Sequence, residues 1–358
     1  MKPQNSISYT ITTDAALSET DVRTKILLLV LLACGVLGCT SSAPPPAAPG
    51  ASPGREASRS GDEIVVAGRR FHTGAPVVLW SDPGGYDAYR VVQRFPSNAD
   101  LQAGHELDGK PRFNTRRLPG DEDRFAARRS GNWTVEELQE VIDQFVIHYD
   151  VCGTSRTCFR VLHDLRGLSV HFLLDVDGTI YQTLDIKERA WHATKSNTRS
   201  IGIEIANIGA YEPDNTRVLD EWYTTDETGT RMTLPQRFGD GGIRTAGFIA
   251  RPRRPEPVSG VINGRQLSMY DLTPEQYDSL TKLIATLGTV FPRLAIDAPR
   301  DSAGRVAGDV LSDQDFESFQ GVLGHFHVQA NKVDPGPAFD WDRVLINARA
   351  ASGSETSR

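Results

Sequence analysis

The pattern of apolar and polar positions is weak over the first third of the chain and strong after it. TVEELQEVIDQ has helical spacing, with Thr134 placed to cap it and Glu136 and Glu137 in its first turn. FVIHYD, ending at Asp150, reads as a strand, and SRTCFRVLHDL returns to helical spacing. LSVHFLLDVDGTIYQTL alternates on both sides of Asp177–Gly178, a dipeptide that closes tight hairpins. In SIGIEIANIG, Ile201, Ile203 and Ile205 fall on one face and Gly202, Glu204 and Ala206 on the other. TPEQYDSLTKLIATLGTVF is a helix opened by Thr273 and Pro274. GVLGHFHV is read as a further strand, and FDWDRVLINARA as a closing helix capped by Asp340. Interleaving of this kind predicts an α/β domain over 131–350, a mixed central sheet flanked by helices.

Two regions depart from this rhythm. Residues 62–130 hold short strand-like pieces, EIVVAG and PVVLW, between Gly, Pro and charged runs, and are read as an N-terminal extension without an assignable role. Residues 211–268 are rich in Gly, Pro and Arg and weakly periodic. A loop of that length inside a domain is usually functional or disordered. It is read as an insertion covering one side of a cleft, the alternative being a solvated excursion.

The start of the chain reads as an export signal. Arg23 and Lys25 precede an apolar run from Ile26 that ends in VLGC at Cys39. The run is too short to span a bilayer and suits a signal-peptide core. A small residue before a Cys at the end of such a run is the pattern of a bacterial lipoprotein. Residues 1–39 are therefore read as a lipoprotein signal with Cys39 as the lipidated residue, and 40–61, rich in Ala, Pro, Ser and Gly, as a disordered tether. In a Gram-negative host, Thr40 rather than Asp after Cys39 leads to the outer membrane, facing the periplasm. Cys152 and Cys158 in an exported protein make a reasonable disulfide, although spacing alone does not prove one. The net charge of −7 argues against a nucleic-acid partner.

The candidate chemistry lies in the histidines. His148, His171, His325 and His327 fall on or beside expected strands, and His192 follows in a loop. Two imidazoles and one carboxylate, as in His148, His325 and Asp334, form a donor set that suits a hydrolytic zinc. Their spacing does not select them, and His325 with Asp334 could equally be a hydrogen-bonded pair holding a turn.

The motifs taken together resemble a known family. GHFHVQANKVDPGPAFDW (324–341) looks like the closing motif of the zinc N-acetylmuramoyl-L-alanine amidases of the second type, which are related to peptidoglycan recognition proteins. FVIHYD, LSVHFLLDVDGTIYQTL, ERAWHA and SIGIEIANIG match its other motifs in order. The resemblance covers roughly 140–211 and 272–347 and implies an amidase fold of the recognition-protein type. It implies His148, His325 and Asp334 as Zn2+ ligands, Glu204 as general base and Lys332 as the cation that steadies the oxyanion. It also places His192 in the substrate cleft, and Cys152 and Cys158 where recognition proteins carry a disulfide. Two departures stand out. Val170 occupies the position of a Tyr that assists catalysis in other branches, and His327 stands where an acidic residue is usual. On a strand, His327 would share a face with His325 and compete as a ligand. The implied activity is hydrolysis of the amide between N-acetylmuramic acid and L-alanine in peptidoglycan or muropeptides. The alternative is a non-catalytic peptidoglycan-binding module.

Overall fold

The computed structural model describes residues 60–95, 109–116 and 132–353. The expected signal, Cys39 and the tether up to residue 59 lie outside the described residues.

The N-terminal extension opens with a hairpin, β1 (Glu63–Val66) and β2 (Arg69–His72), turned on Ala67 and Gly68 in left-handed conformation. β3 (Val77–Leu79) then joins the edge of the main sheet, and β4 (Phe113–Thr115) pairs with a later strand. Helix α1 (Val135–Val141) has the expected Thr134 cap, closed as a capping box with Glu137. β5 (Gln144–Tyr149) follows, then helix α2 (Ser155–Phe159), which runs on as a wider helical turn over Arg160–Leu165. The expected hairpin is β6 (Phe172–Leu174) and β7 (Ile180–Gln182), with Gly178 at φ 81° in its turn. β8 (Glu188–Ala190) is the partner of β4, and β9 (Ser200–Ile205) matches the SIGIEI pattern.

The insertion is ordered. It holds helix α3 (Arg217–Trp222), the hairpin β10 (Tyr223–Asp226) and β11 (Gly229–Met232), and the hairpin β12 (Val258–Ile262) and β13 (Arg265–Met269). Helix α4 (Pro274–Val290) carries a second capping box between Thr273 and Gln276. After α5 (Asp313–Ser318), strand β14 (Gly321–Gly324) stops at Gly324, and His325–Val328 form a short helix, α6. The expected strand GVLGHFHV is thus half strand and half helix. Helix α7 (Trp341–Ala351) closes the fold under the Asp340 cap.

The main sheet has six strands in the order β14-β5-β9-β6-β7-β3. β14, β5, β9 and β6 run parallel, β7 is antiparallel to β6, and β3 is parallel to β7. Because successive side chains point to opposite faces, the sheet has two different sides. On one side Phe145, Ile147, Ile201, Ile203, Phe172 and Val322 join Leu138, Leu280, Leu283 and Leu345 in one continuous core. Each such buried side chain contributes about 1.5–3 kcal/mol. The other side carries two separate clusters, Leu173, Tyr181 and Phe159 at one end and Val146, Leu323 and Phe316 at the other. His148 and Glu204 lie between them on that face.

From the expected N-terminal extension, Ile64, Val66, Phe71, Val77 and Leu79 belong to the continuous core. β3 was visible as an apolar run, but its partner β7 lies about a hundred residues downstream and leaves no local signal.

Candidate active site

His148 and Glu204 are register partners on the adjacent parallel strands β5 and β9, which sets their side chains side by side on one face. Both strands are interior, so ladders on either side fix them. His325 follows Gly324 at the end of β14, which pairs with β5. Asp334 returns to the same place through a backbone bond from Phe326 N–H to its carbonyl, 3.2 Å.

Three donor atoms converge there. His148 Nδ1 lies 2.9 Å from His325 Nδ1 and 2.9 Å from Asp334 Oδ2, and His325 Nδ1 lies 3.0 Å from the same oxygen. All three residues are buried, at 2%, 5% and 8% exposure. The far ring nitrogens are engaged elsewhere. His148 Nε2 is 3.1 Å from His192 Nδ1, and His325 Nε2 is 2.8 Å from Gln329 Oε1. Gln329 Oε1 can only accept, so His325 donates from Nε2 and turns a bare Nδ1 lone pair inward. The same assignment for His148, donating to His192, leaves two lone pairs and a carboxylate facing one point. Such a set calls for a cation. A tetrahedral ion with bonds of about 2.0–2.1 Å holds its ligands roughly 3.3 Å apart, so the triangle need open only by a few tenths of an ångström. The residues therefore fit a metal ion.

The electrostatics agree. Burial disfavours charge on His148, and its ring is pushed down to about 4, with His325 adding to the effect. Burial works against the Asp334 carboxylate too, but His325 and His148 outweigh it and hold its pKa well below the usual range. Glu204 is raised well above the ordinary carboxylate value by burial, then by Asp334 and Asp150. It is closely surrounded by protein yet keeps partial exposure, as a group on the floor of a depression does. The positive charge of Lys332 is felt by both His148 and Glu204.

His192 lies against His148. Its ring lies over Gly202, where an added Cβ would come within 2.5 Å of Nδ1. Nε2 sits 3.2 Å from Ser200 Oγ. His192 thus backs His148 and orients its ring. His171 lies behind it: Nδ1 accepts from Gly202 N–H at 3.1 Å and Nε2 meets the Glu188 carbonyl at 3.0 Å. Beneath both is Arg116, fully buried, which donates to the carbonyls of Ile186, Thr198 and Ser200. Burial pulls its guanidinium down to about 9. Sequence reasoning missed Arg116 because a lone Arg in a charged, unpatterned segment carries no signal.

His327 does not compete for the metal. The helical turn rotates it away from His325. Its Nδ1 accepts from Gly324 N–H at 2.9 Å and its Nε2 donates to the Ala307 carbonyl at 2.8 Å, which uses both nitrogens. Val170 is buried with Cys158, Phe159 and Leu173. The two cysteines of the expected disulfide, Cys152 and Cys158, lie together in one apolar cluster, where both are present as free thiols. One other group of donors, Asp62, Glu63 and His72, is spent on its own hairpin. Asp62 accepts from Ser60, Gly74 and His72, and Glu63 from the backbone of Ser60 and Gly61.

The insertion brackets the site. Trp222 packs on Gly153, just beyond β5, leaving no room for a Cβ there. Ile262 and Leu267 of the β12–β13 hairpin pack on Phe326 and Val333, and Gly260 lies against Pro337.

No curated protein matches the chain. Among solved structures it is similar to a selenomethionine derivative of AmpD, at 17% identity over 73% of this chain and 98% of that one, with a TM-score of 0.31. It is also similar to AmiD from E. coli, solved with anhydro-N-acetylmuramic acid-L-Ala-D-gamma-Glu-L-Lys, at 17% identity over 68% of this chain and 63% of that one, TM-score 0.33. A third is AmpDh3 from Pseudomonas aeruginosa in complex with anhydromuramic pentapeptide, at 17% identity over 57% of this chain and 59% of that one, TM-score 0.32. Residues 138–234, which carry His148, His192 and Glu204, match the family described as N-acetylmuramoyl-L-alanine amidase. His325 and Asp334 join these residues from beyond the matched segment.

Proposed function

We propose that this chain is a zinc-dependent amidase that cleaves the bond between N-acetylmuramic acid and L-alanine in peptidoglycan or its fragments, working in the cell envelope on a lipid anchor at Cys39. The observation that carries the reading is the convergence of His148 Nδ1, His325 Nδ1 and Asp334 Oδ2 within 3.0 Å, with Glu204 beside them on the same sheet face. A zinc ion held by His148, His325 and Asp334 would supply Lewis acidity there, polarising the amide carbonyl and lowering the pKa of water to about 7.

The rest falls to the protein. An amide is a poor electrophile with a poor leaving group, so a proton must leave the attacking water and reach the departing nitrogen. Glu204 takes that proton and passes it to the L-alanine nitrogen. Its raised pKa makes it a stronger base than an ordinary carboxylate. Lys332 offers positive charge to the developing oxyanion, where preorganised charge acts most strongly. His192 and Gln329 hold the two imidazoles in orientation.

The test is incubation of the purified protein with muropeptides, with and without a chelator, and identification of the products by mass. Release of the free stem peptide, abolished by chelator and restored by zinc, supports the amidase. Binding without cleavage, with zinc in place, supports a recognition module instead. Export and anchoring are supported by the run ending in VLGC at Cys39. Acyl labelling of the full chain should disappear in Cys39→Ala, and labelling that persists would remove the anchor.

A further inference from the structure

β12 and β13 are joined by the two-residue turn Asn263–Gly264, with φ of 47° and 72°. Both central positions are left-handed, the geometry of a type I′ hairpin turn, for which Asn-Gly is the favoured pair. The turn alone explains an Asn at this position. It does not explain where the side chain goes. Oδ1 accepts from Val310 N–H at 2.7 Å. Nδ2 faces three carbonyls, those of Lys332 at 2.9 Å, Phe326 at 3.2 Å and Gln329 at 3.4 Å. The Asn263 backbone N–H donates to the Gly308 carbonyl at 3.0 Å.

These three carbonyls belong to the segment that carries half of the site. Phe326 follows His325. The Gln329 side chain holds His325 Nε2. Lys332 stands two residues before Asp334. The segment has little regular structure to hold it: α6 spans only His325–Val328, and residues 329–340 lie outside helix and strand. One side-chain amide thus ties together the two ends and the middle of a loop whose position decides where two ligands stand.

We propose that Asn263 is a positioning residue for the metal centre, clasping the 326–332 backbone so that His325, Lys332 and Asp334 meet His148 and Glu204. The proposal rests on the reading of His148, His325 and Asp334 as metal ligands. It gives the β12–β13 hairpin a task besides covering the cleft: it braces the ligand loop. Removing the amide frees the loop to sample positions in which the donor triangle opens, and the cost appears in metal retention before it appears in folding.

The test uses the full chain and three variants, each compatible with a left-handed turn. Asn263→Gly keeps the turn and deletes the clasp. Asn263→Asp keeps the turn and an acceptor for Val310, but sets a carboxylate oxygen against three carbonyl oxygens. Gly264→Asn alters the neighbouring turn position, where nothing lies within 4 Å of an added Cβ. The probe is Zn2+ alone, in competition with a chromogenic chelator, alongside thermal melts of the metal-free proteins. Partners of metal ligands typically contribute about ten- to a hundred-fold in metal affinity. Asn263→Gly should lose that much and Asn263→Asp at least as much, while Gly264→Asn stays at wild type and the metal-free melting temperatures stay close together. Wild-type zinc affinity in both Asn263 variants overturns the proposal. So does a loss of affinity matched by a fall in metal-free melting temperature, which would mark Asn263 as a turn former only. A wild-type protein that binds no zinc overturns the ligand reading itself, a result distinct from either.

Discussion

His148 and Glu204 stand on interior strands, each flanked by two hydrogen-bonded neighbours, whereas His325, Lys332 and Asp334 ride on a short helix and a loop. The first half of the site is positioned by backbone register, and the whole sheet must deform to move it. The second half depends on side-chain and carbonyl contacts: Gln329 on His325, His327 on Gly324, and Asn263 on three carbonyls. The difference shows that one site can combine a part inherited from the sheet with a part assembled by contacts distant in sequence. It also locates the fragility, because a contact is lost by one substitution and a ladder is not.

The largest effect should come from the ligands themselves. Asp334→Ala should leave the purified protein without metal, and His327→Ala should leave the metal in place. Metal analysis giving the opposite pattern would reassign the ligand set. Next comes Glu204→Gln, nearly isosteric but unable to take a proton near neutral pH. It should lower kcat by about a hundred- to ten-thousand-fold with zinc content and KM little changed. Amide cleavage near the wild-type rate would remove Glu204 from the chemistry.

The comparison is sharpened by the two ring-orienting partners. His192→Ala and Gln329→Ala should each weaken zinc binding by about ten- to a hundred-fold, and Gln329→Ala by more, because His325 has less backbone support than His148. Zinc titration of both variants in the reverse order would break the comparison. A separate effect, on stability rather than metal binding, concerns the sheet side alone. Asp175, just past β6, is fully buried with Oδ2 unpartnered, and burial followed by Asp177 raises its pKa to about 8 from 3.8. The unfolded chain releases that proton near pH 4 and the folded chain near pH 8. Between those values the folded form binds more protons, so stability falls as pH rises, by at most about 1.4 kcal/mol per pH unit for this one group, and levels off above pH 8. Urea melts across this window should show a shallower slope in Asp175→Asn, and an unchanged slope would mean that Asp175 is ionised in the fold.

What could be read from the sequence follows the same division. β5, β9, the β6–β7 hairpin and α4 were legible because each states itself locally: alternation in SIGIEI, Asp177–Gly178 in the turn, Thr273 and Pro274 at the helix start. The alternation also set Glu204 opposite the apolar isoleucines before any register was known. Legibility failed where position depends on something remote. β3 is three apolar residues whose partner comes a hundred residues later. Arg116 is buried by segments far from it in the chain. The four residues of α6 are too few to show a period, so His325 and His327 read as strand neighbours on one face when about half a turn of helix sets them on opposite sides. The β12–β13 hairpin was within reach: Asn263–Gly264 between VSGVI and RQLSM is a turn signal, hidden in a region read as a loop for its Gly, Pro and Arg content.

His325 lies 177 residues after His148, and Asp334 lies 186 after it. A polypeptide is made from its N-terminus, so this separation is also a delay. Strand β5 and its histidine exist without β14 beside them until residues 321–324 have been made. Closing so long a loop carries an entropic cost that grows with its length, by about 0.6 kcal/mol per doubling, and is met only when the β14–β5 ladder forms. The donor set is therefore among the last features to come together. A chain made only as far as β9 holds one imidazole of the three donors, so the proposed metal site is complete only once Asp334 has been made.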